Sequence, residues 1–135
     1  MQTGKPKTVI KSRRKNIDMA VIFVDEKDTY SIKTKTKDII VDVIIGDGQS
    51  GNYSISLGKI LVEMNGPANL GKQADVSGKK TIVSVKVNDT LTETNQTSMT
   101  VTVTEGASVT TFGPYSQEVA RNLDSVIYTL KLTNQ

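Results

Sequence analysis

The sequence predicts an all-β domain, an antiparallel β-sandwich of the jelly-roll or immunoglobulin-like kind with about eight strands. Apolar residues recur mainly with a period of two, which is the period of a strand with one buried face. Turn-forming residues such as Asn65-Gly66-Pro67 separate these segments at short intervals. We expect at most one short helix, near residues 117–123, where Ser116 is a suitable N-cap.

The predicted strands follow one another with polar or glycine-containing breaks between them. Residues 18–24 form an apolar run that ends in four charged residues, and residues 29–36 alternate. Thr100, Thr102 and Thr104 alternate with apolar residues, which is typical of strand-forming threonines on an outward face. Gly58 marks a bulge or a break within 53–64. The predicted strands are 18–24, 29–36, 38–45, 53–64, 80–88, 97–105, 109–112 and 125–133, and residues 68–78 are predicted to form a long loop.

Residues 44–51, IIGDGQSG, match the G-x-G-x-x-G spacing of dinucleotide-binding loops. Such a loop needs a helix after it, whose N-terminal amides bind the phosphates, but residues 52–57 alternate as a strand does. A calcium site on Asp42 and Asp47 is disfavoured because it offers too few carboxylates. We therefore predict a hairpin turn that lets 38–45 pair with 53–64. The predicted turn residues are Gly46, Asp47, Gly48 and Gly51.

Charge divides the chain into two unequal parts. The first 17 residues hold six basic and no acidic side chains, whereas the other 118 hold 11 basic and 14 acidic ones. We predict that residues 1–16 form a basic arm, flexible or strand-exchanging, and that residues 17–135 form a single β-sandwich domain. Thr8-Val9-Ile10 has β character and could pair with a sheet edge of the same or a neighbouring subunit. The basic residues of the arm are Lys5, Lys7, Lys11, Arg13, Arg14 and Lys15.

Lys33, Lys35 and Lys37 recur at every second position. In an extended strand their side chains would point the same way, about 6.5 Å apart. Such a row could follow a phosphate backbone, or it could be a charged edge strand that resists aggregation. Together with the arm, these lysines are the candidate polyanion-binding residues. The sequence has no tryptophan and few other aromatic residues, which disfavours recognition of single strands by stacking.

The composition argues against most catalytic and metal chemistry. The 135 residues include no cysteine and no histidine, so there is no disulfide, thiolate nucleophile or imidazole group. Catalysis by a pair of carboxyl groups would need two such groups that face each other across a cleft, and the sequence does not show which acidic residues lie close together. We therefore expect that the protein is not an enzyme and uses no cofactor or metal. The acidic residues considered for such a pair are Glu63, Glu93, Glu105 and Asp124.

The first functional hypothesis is a non-catalytic structural or interaction protein, a subunit that self-associates or docks with other protein subunits in a larger assembly. One alternative is nucleic-acid or other polyanion binding through the arm. A second alternative is a carbohydrate-binding module. No apolar run is long enough to span a bilayer, and the N-terminus lacks an apolar signal segment. The expected location is the cytoplasm, or an assembly made there.

Overall fold

The fold is a β-sandwich, as the sequence predicts. The computed structural model describes the backbone of residues 7–14 and 17–135, and the side chains from residue 20 onward. The described chain contains ten strands and one short helix, α1 (Gln73–Val76). The strands are β1 (Lys7–Arg14), β2 (Ile17–Tyr30), β3 (Ile40–Ile45), β4 (Ser50–Leu57), β5 (Ile60–Met64), β6 (Ala68–Asn69), β7 (Lys80–Asn88), β8 (Gln96–Glu105), β9 (Ser108–Glu118) and β10 (Ser125–Asn134).

The strands form two sheets that pack face to face. The first sheet has six strands in the order β1-β2-β10-β7-β4-β5, and the second has four in the order β6-β3-β8-β9. Neighbouring strands of the described chain are antiparallel, except that β2 and β10 run parallel, from Val21 beside Ser125 to Tyr30 beside Asn134. This pair joins the first and last parts of the domain, so the residues between them serve as the long crossover that parallel pairing requires.

The core follows directly from the alternation in the sequence. In β7, β8 and β10 nearly every second side chain is buried, and the intervening ones are largely exposed or half-buried. Each valine, leucine or methionine that is fully buried contributes about 1.5–3 kcal/mol through the hydrophobic effect. The buried apolar residues of these three strands are Val83, Val85, Val87, Met99, Val101, Val103, Val126, Tyr128, Leu130 and Leu132.

The strand predicted over residues 29–36 is wrong. β2 ends at Tyr30, and residues 31–39 form an irregular connection to β3. The reason is that the backbone amides of Lys33 and Thr34 donate to the Glu105 carboxylate, at 2.9 and 3.2 Å, instead of to a neighbouring strand. The alternation of this segment therefore does not produce a strand.

The short helix lies elsewhere than the sequence predicts. Residues 117–118 complete β9 and residues 119–124 form a turn, whereas α1 lies within the region expected to be a long loop. The amides after Ser116 have partners that are incompatible with a helix. The Val119 amide donates to the carbonyl of Asn95 (2.9 Å), and the Leu123 amide donates to the carbonyl of Asp89 (2.9 Å). Leu123 also has a φ of 74°, which ends any helical path.

The glycine-rich segment is a turn, but it is not a hairpin. Asp47 and Gly48 have φ values of 57° and 70°, and the Gln49 amide donates to the Gly46 carbonyl (3.2 Å), as in a type I′ turn. The predicted pairing of 38–45 with 53–64 is nevertheless wrong, because β3 belongs to the four-stranded sheet and β4 to the six-stranded one. The turn carries the chain between sheets, and β4 pairs with β5 across the break at Gly58.

Candidate interaction surfaces

The strand directions place most of the connecting loops at two opposite ends of the sandwich. We call one of them the arm end, because β1 ends and β2 begins there. Its loops are residues 46–49, 89–95 and 119–124. We call the other the lysine-rich end. Its loops are residues 31–39, 58–59, 70–79 and 106–107.

The hairpin of β1 and β2 extends past the sandwich at the arm end. Residues 17–20 of β2 precede Val21, the first residue that pairs with β10, and they pair with β1 alone among the described strands. Four residues of strand span about 13 Å. The base of the hairpin is fixed because the Ala20 amide donates to Asp124 Oδ1 (2.9 Å), and Asp124 is buried.

β1 is one edge of the six-stranded sheet and carries much of the predicted basic arm. Lys7, Lys11, Arg13 and Arg14 lie in β1, which pairs along its whole length with 17–24. Among the described residues, no strand pairs with its other side. Lys5 and Lys15 lie outside the described residues. The division of the chain after residue 16, and the binding role of these basic residues, remain predictions.

The opposite edge of the same sheet is β5, and it is unusually apolar. Ile60, Leu61 and Met64 are 72%, 53% and 59% exposed, and Glu63 is the one charged residue of the strand. Edge strands are usually protected from pairing by lysines, prolines or coverage. β5 is also well fixed, because the Asn65 side chain accepts from the Tyr53 amide (2.8 Å) at its end. This strand is therefore a preformed edge, and no described strand pairs with its outer side.

The turn at 46–49 places the Gln49 side chain in a buried polar cluster. Gln49 is 7% exposed, and its Nε2 donates to Asp89 Oδ1 (2.8 Å) and to the Gln96 carbonyl (3.1 Å). Its Oε1 accepts from the amides of Thr90 (3.0 Å) and Leu91 (3.3 Å). Gln49 thus holds two loops of the arm end together. Sequence reasoning missed it because hydrophobic periodicity gives no signal for a polar side chain that bonds to a loop.

We expect the substitution Gln49→Ala to lower the free energy of unfolding by about 3 kcal/mol, because buried Asp89 and the partly buried amides of Thr90 and Leu91 lose their partner. Asp89 Oδ2 already has no hydrogen-bond partner among the described residues, so Asp89 would be left with no partner for its carboxylate oxygens. Urea unfolding measures the change. Asn52→Ala, at an exposed position of β4, is the control and should change stability by about 0.5 kcal/mol or less. Equal losses in the two variants would contradict the role of Gln49.

The acidic residues considered for catalysis do not form a facing pair. Glu105 is buried at the lysine-rich end, where it accepts from the Tyr30 hydroxyl, whereas Asp124 is buried at the arm end. Glu63 lies on the β5 edge, and Glu93 lines a polar cleft of about 300 Å³ together with Glu118. Among the residues that the structure describes, no group of three or more acidic side chains is arranged to hold a metal ion.

The three lysines expected to form a row do not lie in a strand. Lys33, Lys35 and Lys37 are exposed in the 31–39 connection, whose backbone bends at residues 35–37. The Lys33 Nζ lies 5.8 Å from the centre of the Tyr30 ring, and the Lys37 side chain runs beside Gly106. The predicted row in an extended strand is therefore wrong, although all three lysines lie at one end of the sandwich.

The tyrosine hydroxyls are held in or beside the core. The Tyr128 hydroxyl lies 2.8 Å from Thr97 Oγ1, and burial together with Glu105 raises the pKa of Tyr30. Burial is also the largest cause that raises the pKa values of the other three to about 12. These are Tyr53, where Asp42 adds to the effect, Tyr115, where Asp28 and Glu26 add to it, and Tyr128, where the hydrogen bond to Thr97 opposes it.

These shifts predict loss of stability in alkali. An unfolded tyrosine loses its proton near pH 10 and the folded ones near pH 12 or above, so the folded state binds more protons between these values. The contribution of these tyrosines to the free energy of unfolding is therefore fully present below pH 10. It falls as the pH rises through this window, by up to about 1.4 kcal/mol per pH unit for each buried tyrosine. In a pH titration, the absorbance of tyrosinate, which reports ionisation, and the circular dichroism, which reports unfolding, should change over the same pH range. Tyrosinate that forms at pH 10 in a folded chain would contradict this prediction.

Within the described residues, no helix has the length and apolar character needed to cross a membrane. Every described aromatic side chain is buried or half-buried, which leaves no exposed ring for stacking. Comparisons with models of protein families, with curated proteins and with solved structures give no match for this chain.

Proposed function

We propose that this protein is a non-catalytic structural subunit that assembles with copies of itself through the edges of its six-stranded sheet. β1 of one copy pairs with β5 of the next copy. The observation that carries this proposal is the β5 edge, where Ile60, Leu61 and Met64 are exposed and no further strand of the described chain pairs with the backbone. Addition of a strand to such an edge satisfies its backbone groups and covers its apolar side chains.

The charges of the two edges favour this pairing over the pairing of two β1 strands. β1 contains four basic residues and no acidic ones, so two β1 strands side by side would place like charges opposite each other. β5 contains no basic residue and carries Glu63. The pairing of β1 with β5 is therefore the electrostatically favourable combination.

The position of the two edges determines the kind of assembly. β1 and β5 are the first and last strands of the same sheet, so each copy offers one edge of each kind on opposite sides. A contact between unlike surfaces repeats from copy to copy, and it gives a ring if the rotation closes and a filament if it does not. Covering one of the exposed β5 side chains completely would contribute about 1.5–3 kcal/mol.

Disulfide cross-linking tests the pairing, and the absence of cysteine from the sequence makes every introduced thiol unique. One variant carries Leu61→Cys on β5, and separate variants carry Thr8→Cys, Val9→Cys or Ile10→Cys on β1. Because successive residues of a strand in general alternate between the two faces of a sheet, three consecutive positions sample both. We expect a mixture of Leu61→Cys with at least one β1 variant to give disulfide-linked dimers under mild oxidation.

The control for random collision is Lys131→Cys, at an exposed position on β10 inside the same sheet. Each β1 variant oxidised alone should give little dimer. The proposal is overturned if β1 variants cross-link with themselves as readily as with Leu61→Cys. It is also overturned if no mixture exceeds the Lys131→Cys control.

Fewer structural observations support the other two functional hypotheses, carbohydrate binding and polyanion binding through the arm. Carbohydrate sites usually present aromatic rings to the sugar, and the described surface offers none that is exposed. Polyanion binding through the arm itself stays a prediction, because the side chains of β1 are not among those described.

A further inference from the structure

We propose that the lysine-rich end binds the phosphate backbone of double-stranded nucleic acid, independently of the sheet edges. Residues 18–135 carry more acidic than basic side chains, yet seven of their eleven lysine and arginine residues lie at this one end. All seven are exposed. They are Lys33, Lys35, Lys37, Lys59, Lys72, Lys79 and Lys80.

Backbone hydrogen bonds hold the loops that carry these lysines against one another. The Gly58 amide donates to the Lys80 carbonyl (2.8 Å), and the Asn134 amide donates to the Lys79 carbonyl (3.1 Å). The Ile32 amide donates to the carbonyl of Gln135 (2.7 Å), which connects the 31–39 loop to the same end of β10. The lysines are therefore on one connected surface and not on separate mobile tails.

Within the described part of the chain, most of the positive charge at this end is not neutralised by an ion pair. Lys72 pairs with Asp38 (3.1 Å), and hydrogen bonds from Asn69 and Lys72 hold the pKa of Asp38 below its usual range. Asp75 accepts from the Lys72 amide (3.2 Å). Among the described residues, no other lysine of this end has an acidic side chain within ion-pair distance. Six lysines are therefore available to an external anion.

The size of this surface suits a nucleic-acid backbone. From β2 to β5 the first sheet crosses four strand spacings, which is about 19 Å, and the sandwich is about 10 Å thick. One strand of a duplex presents about five phosphates over that length. The cluster of exposed lysines would also attract a polyanion to this end of the sandwich as the two molecules approach.

The residue types indicate backbone contact with a duplex. Lysine is a flexible point charge that neutralises phosphates, whereas base reading and bidentate recognition are typical of arginine, which this end lacks. Binding of single strands usually needs exposed aromatic rings, and every described ring is buried or half-buried. We therefore expect weak dependence on base sequence and strong dependence on salt.

The test measures binding of the full chain to a fluorescently labelled duplex of mixed sequence by polarisation at several salt concentrations. The test variant combines Lys33→Gln, Lys35→Gln and Lys79→Gln. The matched control combines Lys27→Gln, Lys86→Gln and Lys131→Gln, three exposed lysines on the outer face of the six-stranded sheet. Both variants lose the same charge and keep the arm, so they differ only in where the charge is removed.

We expect the wild-type chain to bind at low salt, and the test variant to bind about tenfold or more weakly. The slope of log affinity against log salt should decrease in magnitude by about two to three in the test variant and remain near the wild-type value in the control. Equal effects of the two variants would overturn the proposal, since net charge or the arm would then explain binding. Absence of wild-type binding at low salt would also overturn it, as would binding to phosphatidylserine vesicles without binding to the duplex.

Discussion

The substitution Glu105→Ala is expected to lower the free energy of unfolding by about 4 kcal/mol, the largest loss that we predict for a single side chain. Glu105 is 3% exposed at the end of β8 and accepts from the Tyr30 hydroxyl and from the amides of Lys33 (2.9 Å) and Thr34 (3.2 Å). Hydrogen bonds to a charged acceptor contribute more than neutral ones, and each buried donor left without a partner adds about 1–3 kcal/mol.

Urea unfolding of Glu105→Ala beside Glu118→Ala provides the measurement. Glu118 is exposed at the end of β9, so its loss should change stability by about 0.5 kcal/mol or less. Glu105→Gln keeps one acceptor oxygen and should be less destabilised than Glu105→Ala. The pKa of Tyr30 should also fall in both Glu105 variants, because Glu105 is one of the causes that raise it. A Glu105→Ala protein as stable as Glu118→Ala would contradict the account of the 31–39 loop.

The substitution Gly51→Ala is expected to cost about 3 kcal/mol, because its new methyl group would overlap the backbone of β7. The Cβ would overlap the carbonyl oxygen of Lys86 and lie 3.0 Å from its carbonyl carbon. Backbone atoms cannot turn away as a flexible side chain can, so relief would require separation of β4 from β7. The sequence marked Gly51 as part of a turn, whereas the structure places it in a strand next to a closely packed neighbour.

The matched control for this prediction is Gly58→Ala, which adds the same methyl group where no heavy atom lies within 4 Å. Gly58 has a φ of 60°, so alanine there should cost about 1 kcal/mol through backbone strain alone. The two effects have separate physical causes and can be compared by their urea midpoints. A larger loss for Gly58→Ala than for Gly51→Ala would contradict the contact with β7.

Periodicity predicted the core well because burial in a strand depends on the face that each residue occupies. The buried faces of β7, β8 and β10 could be identified from the alternation of apolar residues alone, without knowledge of the partner strands. The positive φ values of Asp47 and Gly48 were also predictable, since Asp-Gly favours turns of this kind. Both features are local, and local chemistry determines them.

The choice of partner strands was not predictable from the same patterns. An alternating segment after a turn is compatible with pairing in the same sheet or with a crossing to the facing sheet, and the turn at 46–49 makes the crossing. Residues 117–123 have helical character, but the carbonyls of Asn95 and Asp89 accept the amides of Val119 and Leu123. These partners are distant in the sequence, so no local signal identifies them.

The candidate interaction surfaces were only partly visible in the sequence for the same reason. The basic character of β1 is a matter of composition and was predicted. The exposure of Ile60, Leu61 and Met64 depends on β5 being the last strand of its sheet, which only the topology shows. Likewise, Lys59, Lys79 and Lys80 join the predicted Lys33, Lys35 and Lys37 only because the strand directions bring their loops to one end.

Sedimentation of the wild-type chain beside an edge variant tests the proposed assembly most directly. Leu61→Lys places a positive charge on β5, where it should repel the basic β1 of the next copy and protect the edge. The control is Val109→Lys, at a position of β9 that is 62% exposed on the other sheet. We predict assemblies larger than the 14.6 kDa chain for the wild type and Val109→Lys, and a monomer for Leu61→Lys. The proposed assembly would be contradicted by a wild-type chain that stays monomeric at high concentration. It would also be contradicted by a Leu61→Lys variant that assembles as the control does.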